Sequence, residues 1–451
     1  MKLINKASAI CLSLSFFSIS AYCAQELNRN IFNVGGNNLT LPESAEYMNA
    51  IKSGSAYQLA VDPKSNLLYM SWGYRLGSNP VAGILAFELD NLKAKGFING
   101  IHDVYGLDFD QKNNRLLAEH TVSRKTEDGE LLTGNSFDII SLKDGTKLTN
   151  TIEIDQGKKE RNTFNSHYIF VNDIGDIFIS SESKPKHGGP DGMQKITKYD
   201  SSGTEVWQTK AFPGLVAALI SNDKIIAGAN DLYEISLSDG AISKKLYASK
   251  PENGDARYMA LVKGDNLVYA ASFSKLENIK PNQIKYDNVY VIEKGKAAKG
   301  FSTVTNKKTV GVGSTSIIVN PERKELYTAN FNDNTISVIN IKNKADLSIY
   351  KNIFIQDAWG INAVAYVNSN DNTYIYAAIK GGHGNNVKYT DQGMDDVKLA
   401  KITLNNKYAD TSSWCKISIM DIKSNTLDYK EHQCNIQKKM RFIILPERNY
   451  K

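Results

Sequence analysis

Two glycine-rich stretches carry residue types that bind metals. One runs from His187 to Met193 and contains Asp191, and the other places His383 between glycines, with Met394 and Asp395-Asp396 after it. Imidazole, thioether and carboxylate groups together suit a soft or borderline metal. Neither stretch has a recognised ligand spacing by itself, so a metal site would need both to meet. Glycine-rich turns without a metal are the competing interpretation.

Basic residues and tyrosines are interleaved in several long polar segments. Cations neutralise phosphate or sulfate groups and tyrosine rings stack on bases, so these segments could hold a polyanion such as single-stranded DNA. An ordinary solvated rim is the competing interpretation, because the net charge is modest. The candidate binding residues are Tyr74, Arg75, His120, Arg124, Lys184, Lys186, His187, Lys275, Lys285, His383, Lys388 and Tyr389.

Two cysteines near the C-terminus predict a disulfide bond. Cys415 lies nine residues before Ser424, and Cys434 lies nine residues after Asn425. If Ser424-Asn425 forms a two-residue hairpin turn, the two cysteines face each other across the strand pair. Directly opposed residues lie within the Cα separation that a disulfide requires.

Catalytic motifs give little support to an enzyme. The glycines between Gly311 and Ser316 open a strand rather than a helix, so they do not form a dinucleotide site. Glu119-His120 at a strand end could exchange protons, but no nucleophile is paired with them. No nucleophile elbow of the Gly-x-Ser-x-Gly type occurs in the sequence. We therefore predict a protein without catalytic residues and without a cofactor.

Seven imperfect copies of one strand pattern position these segments. In each copy, two runs of β-branched and aromatic residues flank a turn cluster, and a third run and a weaker fourth run follow. The clearest copy spans Gly313–Ile341, with turns at Asn320–Lys324 and Asn332–Asn334. The other copies begin at Ala56, Tyr105, Tyr168, Leu215, Tyr258 and Ile361.

The spacing of the copies predicts the fold. They recur at roughly 43 to 62 residues, close to the period of propeller blades. This favours an all-β protein, a seven-bladed β-propeller of four-stranded antiparallel blades, over an array of β-sandwiches. We expect one terminus to share or complete a blade, because an open ring would expose two sheet edges.

The long connections all follow the second strand of a copy. They span about Gly73–Val81, His120–Ser136, Glu182–Gln194, Ser272–Asn288 and Lys380–Val397, and the other turns are short. In antiparallel blades these connections emerge on one face. Insertions gathered on one face of a repeat protein usually mark its binding face, although surface drift is an alternative. The candidate binding residues therefore belong to one rim.

One copy resembles a known repeat. Tyr327-Thr328-Ala329-Asn330 followed by Asn334–Asn340 is similar to the YVTN-type β-propeller repeat, with looser versions at Val268–Ala271 and Ile375–Ala378. The chain as a whole resembles the YncE-like exported propellers of bacteria. The resemblance implies the propeller fold and an exported location. It implies no catalytic residues, because that family shares no catalytic constellation.

The N-terminus predicts export. Lys2 and Lys6 precede an apolar stretch and a small-residue cleavage site near Ala24, as in a secretory signal peptide, and the stretch is too short for a membrane span. Removal of Lys2 and Lys6 leaves 52 of the 54 basic residues and 48 acidic residues, so the net charge becomes +4. We predict a periplasmic or secreted monomer with a signal peptide (1–24), a lead-in (25–55), a propeller (56–436) and a basic tail (437–451).

The function that follows is a binding or interaction role. The rim would hold a protein, a small molecule or a polyanion. The alternative from another class is a metal-dependent enzyme at the mouth of the central pore. Propeller lactonases and quinone-dependent dehydrogenases are further enzyme alternatives, but no residue in the sequence argues for either.

Overall fold

A computed structural model gives the structure of the chain. It describes residues 55–73, 83–99, 104–125, 131–143, 146–153, 169–184, 193–213, 217–221, 223–228, 231–248, 256–261, 267–272, 288–298, 301–309, 314–331, 334–342, 348–355, 360–379, 398–405, 415–421, 428–433 and 435–436. Within these ranges the regular elements are all β-strands, and no helix there could cross a membrane.

The strands form seven antiparallel sheets, one for each predicted copy, so the predicted seven-bladed propeller is confirmed. Blade 1 contains β1 (Ser55–Asp62), β2 (Leu67–Gly73), β3 (Gly83–Glu88) and β4 (Ala94–Asn99). Blade 2 contains β5 (Val104–Asp110), β6 (Arg115–Lys125), β7 (Leu131–Ser141) and β8 (Lys147–Glu153). Blade 3 contains β9 (Ile169–Val171), β10 (Ile177–Lys184), β11 (Met193–Tyr199) and an interrupted outer strand, β12 (Glu205–Gln208) with β13 (Phe212–Pro213).

The remaining blades follow the same order. Blade 4 contains β14 (Ala217–Ser221), β15 (Lys224–Gly228), β16 (Asp231–Ser236) and β17 (Ile242–Ala248). Blade 5 contains β18 (Ala256–Leu261), β19 (Leu267–Ser272), β20 (Asn288–Ala298) and β21 (Phe301–Thr309). Blade 6 contains β22 (Ser314–Asn320), β23 (Glu325–Asn330), β24 (Thr335–Asn340) and β25 (Ser348–Phe354). Blade 7 contains β26 (Ile361–Asn368), β27 (Asn372–Ile379), β28 (Lys398–Asn405) and β29 (Cys415–Asp421).

Two short strands at the C-terminal end add a fifth strand to each of two blades. β30 (Asp428–Gln433) pairs with β29 in blade 7, and β31 (Asn435–Ile436) pairs with β25 in blade 6. The chain therefore crosses from the outer edge of blade 7 to the outer edge of blade 6. Each added strand covers backbone groups that an outer edge would otherwise expose.

The hydrophobic core lies between neighbouring blades. At five described junctions, those of blades 6–7, 7–1, 1–2, 2–3 and 3–4, each blade buries apolar side chains against the next. Phe178 of blade 3 packs with Ile225 of blade 4, and Tyr327 of blade 6 packs with Ile375 of blade 7. Large aromatic side chains therefore sit where two sheets face each other rather than within one sheet.

The turns between first and second strands of blades 1, 2 and 6 share one design. A side chain at the end of the first strand accepts a backbone N–H of the turn, as Asp62 accepts from Lys64 at 3.1 Å and Asp110 from Asn113 at 3.1 Å. The residue before the second strand is left-handed: Asn66, Asn114 and Lys324 have φ of 58°, 51° and 57°. Asx residues favour both features, so the sequence locates these turns well.

Within the described residues, the four inner strands of each blade come from one continuous stretch of chain, and β26 of blade 7 lies against β1 of blade 1. The C-terminal end adds the outer strands β30 and β31 to blades 7 and 6, but no described strand is exchanged between blades 7 and 1. Leu68, Met70 and Phe87 of blade 1 are buried together with Tyr376 and Leu399 of blade 7. Side-chain burial, rather than a borrowed strand, joins the first blade to the last.

One predicted connection is largely strand. The segment His120–Ser136 was expected to be a loop, but β6 and β7 continue their ladder to the pair Lys125 and Leu131. Thr121, Val122 and Thr133 are β-branched, which suits extended strands. The predicted lead-in, the signal peptide and the basic tail lie outside the described residues, except for Ser55.

Candidate functional site

The two faces of the propeller differ in how their strands are connected. On one face the first-to-second turns are tight, for example residues 63–66 between β1 and β2 and 321–324 between β22 and β23. On the opposite face β19 ends at Ser272 and β20 begins at Asn288, and β27 ends at Ile379 and β28 begins at Lys398. We call this second face, on which the second-to-third connections emerge, the long-connection face.

A β-bulge recurs at the end of the innermost strand nearest the long-connection face. In five blades one extra residue interrupts the register, between Ala56 and Leu59, Val104 and Leu107, Ala256 and Tyr258, Ser314 and Ser316, and Ile361 and Ala363. Bulges re-aim side chains and are common beside functional sites. They recur at one level of the innermost strands in these five blades, and we call their members the bulge residues: Tyr57-Gln58, Tyr105-Gly106, Arg257, Thr315 and Asn362.

Two bulge residues join neighbouring blades. Thr315 Oγ1 of blade 6 donates to the carbonyl oxygen of Ile361 in blade 7 at 2.6 Å. Asn362 Nδ2 of blade 7 donates to the carbonyl oxygen of Ala56 in blade 1 at 2.6 Å. Each accepting carbonyl belongs to the residue directly before the bulge of the next blade. Inner-strand edges expose unpaired backbone groups, and these bonds satisfy some of them.

The repeat motif of blade 6 is structural. Asn330 is fully buried, and its amide donates to Thr335 Oγ1 at 3.0 Å and to Ser337 Oγ at 2.9 Å. The hydroxyl of Tyr327 donates to Glu325 Oε2 at 2.7 Å, and Arg323 binds the same carboxylate. These motif side chains have partners inside the blade, so they stabilise it rather than form a site.

Blade 2 contains two acids with raised pKa values, Glu119 and Asp108. Glu119 lies opposite the bulge Tyr105-Gly106 and is 2% exposed. A Cβ at Gly106 would lie 3.0 Å from Glu119 Oε2, so the glycine leaves room for the carboxyl group. Desolvation holds the pKa of Glu119 well above its usual value, and desolvation raises the pKa of Asp108 to about 7.

The described part of the long-connection face contains three of the predicted binding residues. His120 and Arg124 lie in β6, and Lys184 is the last residue of β10. The other nine are Tyr74, Arg75, Lys186, His187, Lys275, Lys285, His383, Lys388 and Tyr389, and they lie outside the described residues. The predicted rim therefore stays a prediction at those positions.

The predicted metal site and disulfide fall partly outside the described chain. Among the described residues no group of three or more His, Cys, Asp or Glu side chains could hold a metal ion, and both glycine-rich loops lie largely beyond them. Lys416 pairs with Gln433 across β29 and β30, which is the predicted hairpin register. Cys434 lies outside the described residues, so the disulfide stays a prediction.

The bulge residues were not found from the sequence. A bulge adds one residue to a strand without adding a turn signal, and polar residues such as Gln58 also fit an ordinary strand. An alignment of the copies on their turns reveals the extra residue only when the strand pairing is already known. Asp108 was missed for a different reason. It fits the alternation of polar and apolar residues in its strand, and its contact with Val171 is visible only when blade 3 is in place.

Comparisons with known proteins support the fold. The sequence pattern of the family described as lactonase, 7-bladed beta-propeller, matches residues 221–419, from the end of β14 to β29. No curated protein sequence matches the chain.

Solved structures resemble the chain across most of its length. A hypothetical selenium-binding protein from Sulfolobus tokodaii has a TM-score of 0.54 at 12% identity, covering 82% of this chain and 93% of that one. The structure of U3-55K has a TM-score of 0.51 at 8% identity, covering 76% and 93%. A putative 6-phosphogluconolactonase from Bacteroides uniformis has a TM-score of 0.48 at 12% identity, covering 82% and 97%. The chain is thus a seven-bladed β-propeller, and blades 4 to 7 resemble the lactonase family of such propellers.

Proposed function

We propose that the protein is an exported binding protein whose ligand lies on the long-connection face. The observation that carries this proposal is the coincidence of two features on that face: the long connections and the repeated bulges. Long connections supply variable contact residues on a rigid scaffold. Bulges re-aim side chains at the ends of the innermost strands nearest this face. The opposite face has tight turns.

The chemistry of the bulge residues favours a ligand that accepts hydrogen bonds. Tyrosine, glutamine, arginine, threonine and asparagine all donate, and none of the five bulges contains an acid. Among the described bulges, Tyr57 and Gln58 are half-buried, so they keep some exposed surface. Thr315 and Asn362 are used between blades, so the bulge residues of blades 1, 2 and 5 are the better candidates for ligand contacts.

A polyanion is the ligand class that is tested most directly. Lys184→Glu together with Lys186→Glu should weaken binding to a poly-dT oligonucleotide and to heparin, and should reduce the dependence on salt. The measurement is fluorescence anisotropy between about 50 and 200 mM salt. Lys64→Glu with Lys342→Glu is the matched control, because both lysines are exposed on the opposite face. Equal losses in both pairs, or no binding at low salt, would leave a small molecule or a protein as the ligand.

Lactone hydrolysis is the second candidate function, because the lactonase family pattern matches blades 4 to 7. The test is proton release from glucono-δ-lactone in a pH-stat, corrected for spontaneous hydrolysis. Catalysed release that grows with protein concentration supports an enzyme. Release at the spontaneous rate from a correctly folded sample argues against hydrolysis of this substrate, and the binding proposal then stands alone.

The proposed location has its own test. A signal peptide ending near residue 24 predicts that mature protein from an exporting host begins at Ala24 or Gln25. N-terminal sequencing of protein from the periplasm or the medium measures this. An unprocessed chain that starts at Met1 in the cytoplasmic fraction would contradict export.

A further inference from the structure

The innermost strands of neighbouring blades lie side by side. β1 contacts β5 and β26, and β22 contacts β18 and β26. In a propeller such strands surround a central channel. Each innermost strand pairs with the second strand of its blade along one edge, and the described clusters between blades cover its faces. An apolar side chain that stays half-exposed on such a strand therefore lies along the channel.

One equivalent position of the innermost strand is apolar and half-buried in the six blades whose side chains are described there. Val61, for example, pairs with Leu68 of the second strand, which is 0% exposed. Because the partner one strand further out is fully buried, the exposure comes from the channel side. We call these six side chains the apolar band: Val61, Phe109, Val171, Ile220, Val319 and Tyr366.

The opposite end of the same strands carries hydrogen-bond donors, the bulge residues. Gln58 precedes Val61 by three residues, and Thr315 precedes Val319 by four. At about 3.3 Å per residue, the bulges lie roughly 10–13 Å from the apolar band. The described channel wall therefore changes from donors near the long-connection face to apolar side chains near the tight turns.

One charged side chain lies between these two levels in the described part of the innermost strands. Asp108 is half-buried, and its carboxyl group accepts the backbone N–H of Phe109 at 2.8 Å and that of Val171 at 3.0 Å. Like charges repel, so a negatively charged ligand group is disfavoured beside Asp108. An alkyl chain has no charge and can pass it, whereas a charged head group stays at the bulge residues.

We propose that the channel binds the aliphatic chain of an amphiphile, with the chain along the apolar band and a hydrogen-bond-accepting head group at the bulge residues. The inference rests on the proposed function, because it places the head group on the long-connection face. A carboxylate or phosphate head group only accepts hydrogen bonds, which matches donors such as Tyr57 and Gln58. Contact between the chain and the band removes apolar surface of both from water.

Isothermal titration calorimetry of the full mature chain with dodecanoate, below its micelle concentration, tests the proposal. We expect saturable binding that strengthens about fourfold with each methylene from octanoate to dodecanoate. The heat capacity change should be negative, because apolar surface is buried. Dodecyltrimethylammonium has the same chain and a head group that accepts no hydrogen bond, so it should bind at least about tenfold more weakly.

Two variants test the two ends of the site. Val319→Glu places a charge in the apolar band and should weaken dodecanoate binding at least about tenfold. Val206→Glu is the matched control, because Val206 is 51% exposed on the outer strand of blade 3, and it should bind like the unaltered protein. Tyr57→Phe with Gln58→Ala removes donors from the bulge of blade 1 and should weaken binding of dodecanoate about tenfold.

Several results would overturn the proposal. Absence of saturable dodecanoate binding, or an affinity independent of chain length, does so in the unaltered protein, whether or not Val319→Glu folds. Equal losses in Val319→Glu and Val206→Glu do so as well. If polyanion binding depends on Lys184 and Lys186 while dodecanoate does not bind, the channel inference alone fails. If Val319→Glu abolishes binding and the Tyr57 and Gln58 variant binds normally, the head group lies elsewhere, and this ligand gives no support to the proposed function.

Discussion

The junction of blades 2 and 3 and the junction of blades 7 and 1 place a cation at a blade interface in two different ways. In the first, the guanidinium of Arg115 is bonded to the buried carboxylate of Asp110, and it also donates to carbonyl oxygens of blade 3. In the second, Lys401 Nζ donates to the carbonyl oxygens of Leu89 and Asp90 at 2.9 and 2.6 Å and lies 4.2 Å from the ring centroid of Tyr374.

The difference shows which junction tolerates change. Removing Arg115 leaves the Asp110 carboxylate, which is 1% exposed, without its cation. Removing Lys401 leaves only carbonyl oxygens and the exposed side chain of Asp90, while the apolar cluster around Tyr376 remains. The contact that closes the ring is therefore the less dependent of the two on a buried charge.

Arg115→Met should give the largest loss. We expect the free energy of unfolding to fall by about 3–5 kcal/mol, because Asp110 stays buried without its cation. Chemical denaturation measures this loss. The double variant Asp110→Asn with Arg115→Met removes the stranded charge and should recover part of the stability. A double variant no more stable than Arg115→Met would contradict this account.

The cysteine pair of the closing blade comes next. A Cys415–Cys434 disulfide closes a loop of about 20 residues and should stabilise the protein by about 3 kcal/mol in the chain-entropy model. It would also fasten the point where the chain passes from β30 to β31. Thiol labelling of unfolded, unreduced mature protein should find no reactive cysteine at these positions. Labelling of both would contradict the bond.

Lys401→Met tests the closing contact itself. The charge-assisted bonds to Leu89 and Asp90 are lost, but no buried carboxylate is left behind, so we expect a loss of about 2 kcal/mol. Methionine keeps the packing against Tyr374 and Tyr376 through its flexible side chain. The same denaturation assay compares this variant with Arg115→Met. A loss as large as that of Arg115→Met would remove the distinction between the two junctions.

Much of the fold could be predicted from local signals. Turn residues such as Asp62 and Asn114 act within a few residues of themselves, so the sequence shows them directly. The closing contact could not be predicted, because Lys401 and Leu89 are far apart in sequence and neither residue type signals its partner. The bulges could not be predicted for a related reason, since an extra residue such as Asn362 is defined only by strand pairing.

The candidate site was predicted less fully than the fold. Connection length is visible in sequence, and it identified one face. The chemical features that the structure adds depend on strand pairing and on neighbouring blades: Gly106 leaves room for the Glu119 carboxyl group beside Ile169, and Asp108 accepts the backbone N–H of Val171 in blade 3. A single repeat does not contain that information, because the junctions are formed between repeats.

The smallest expected effect tests whether the closing junction differs from an interior one at the level of single bonds. Asn362→Ala removes the bond to Ala56 across the closing junction, and Thr315→Val removes the equivalent bond to Ile361 across the junction of blades 6 and 7. Both bonds are 2.6 Å long and reach an inner-strand carbonyl, so each variant should lose about 1 kcal/mol. Denaturation curves of the two variants, recorded side by side, measure the difference. If the closing junction is less stable than the interior junctions, Asn362→Ala should lower the free energy of unfolding clearly more than Thr315→Val does. Equal losses would mean that the closing junction, where no described strand is exchanged between blades 7 and 1, is held by the same kind of bond as an interior junction.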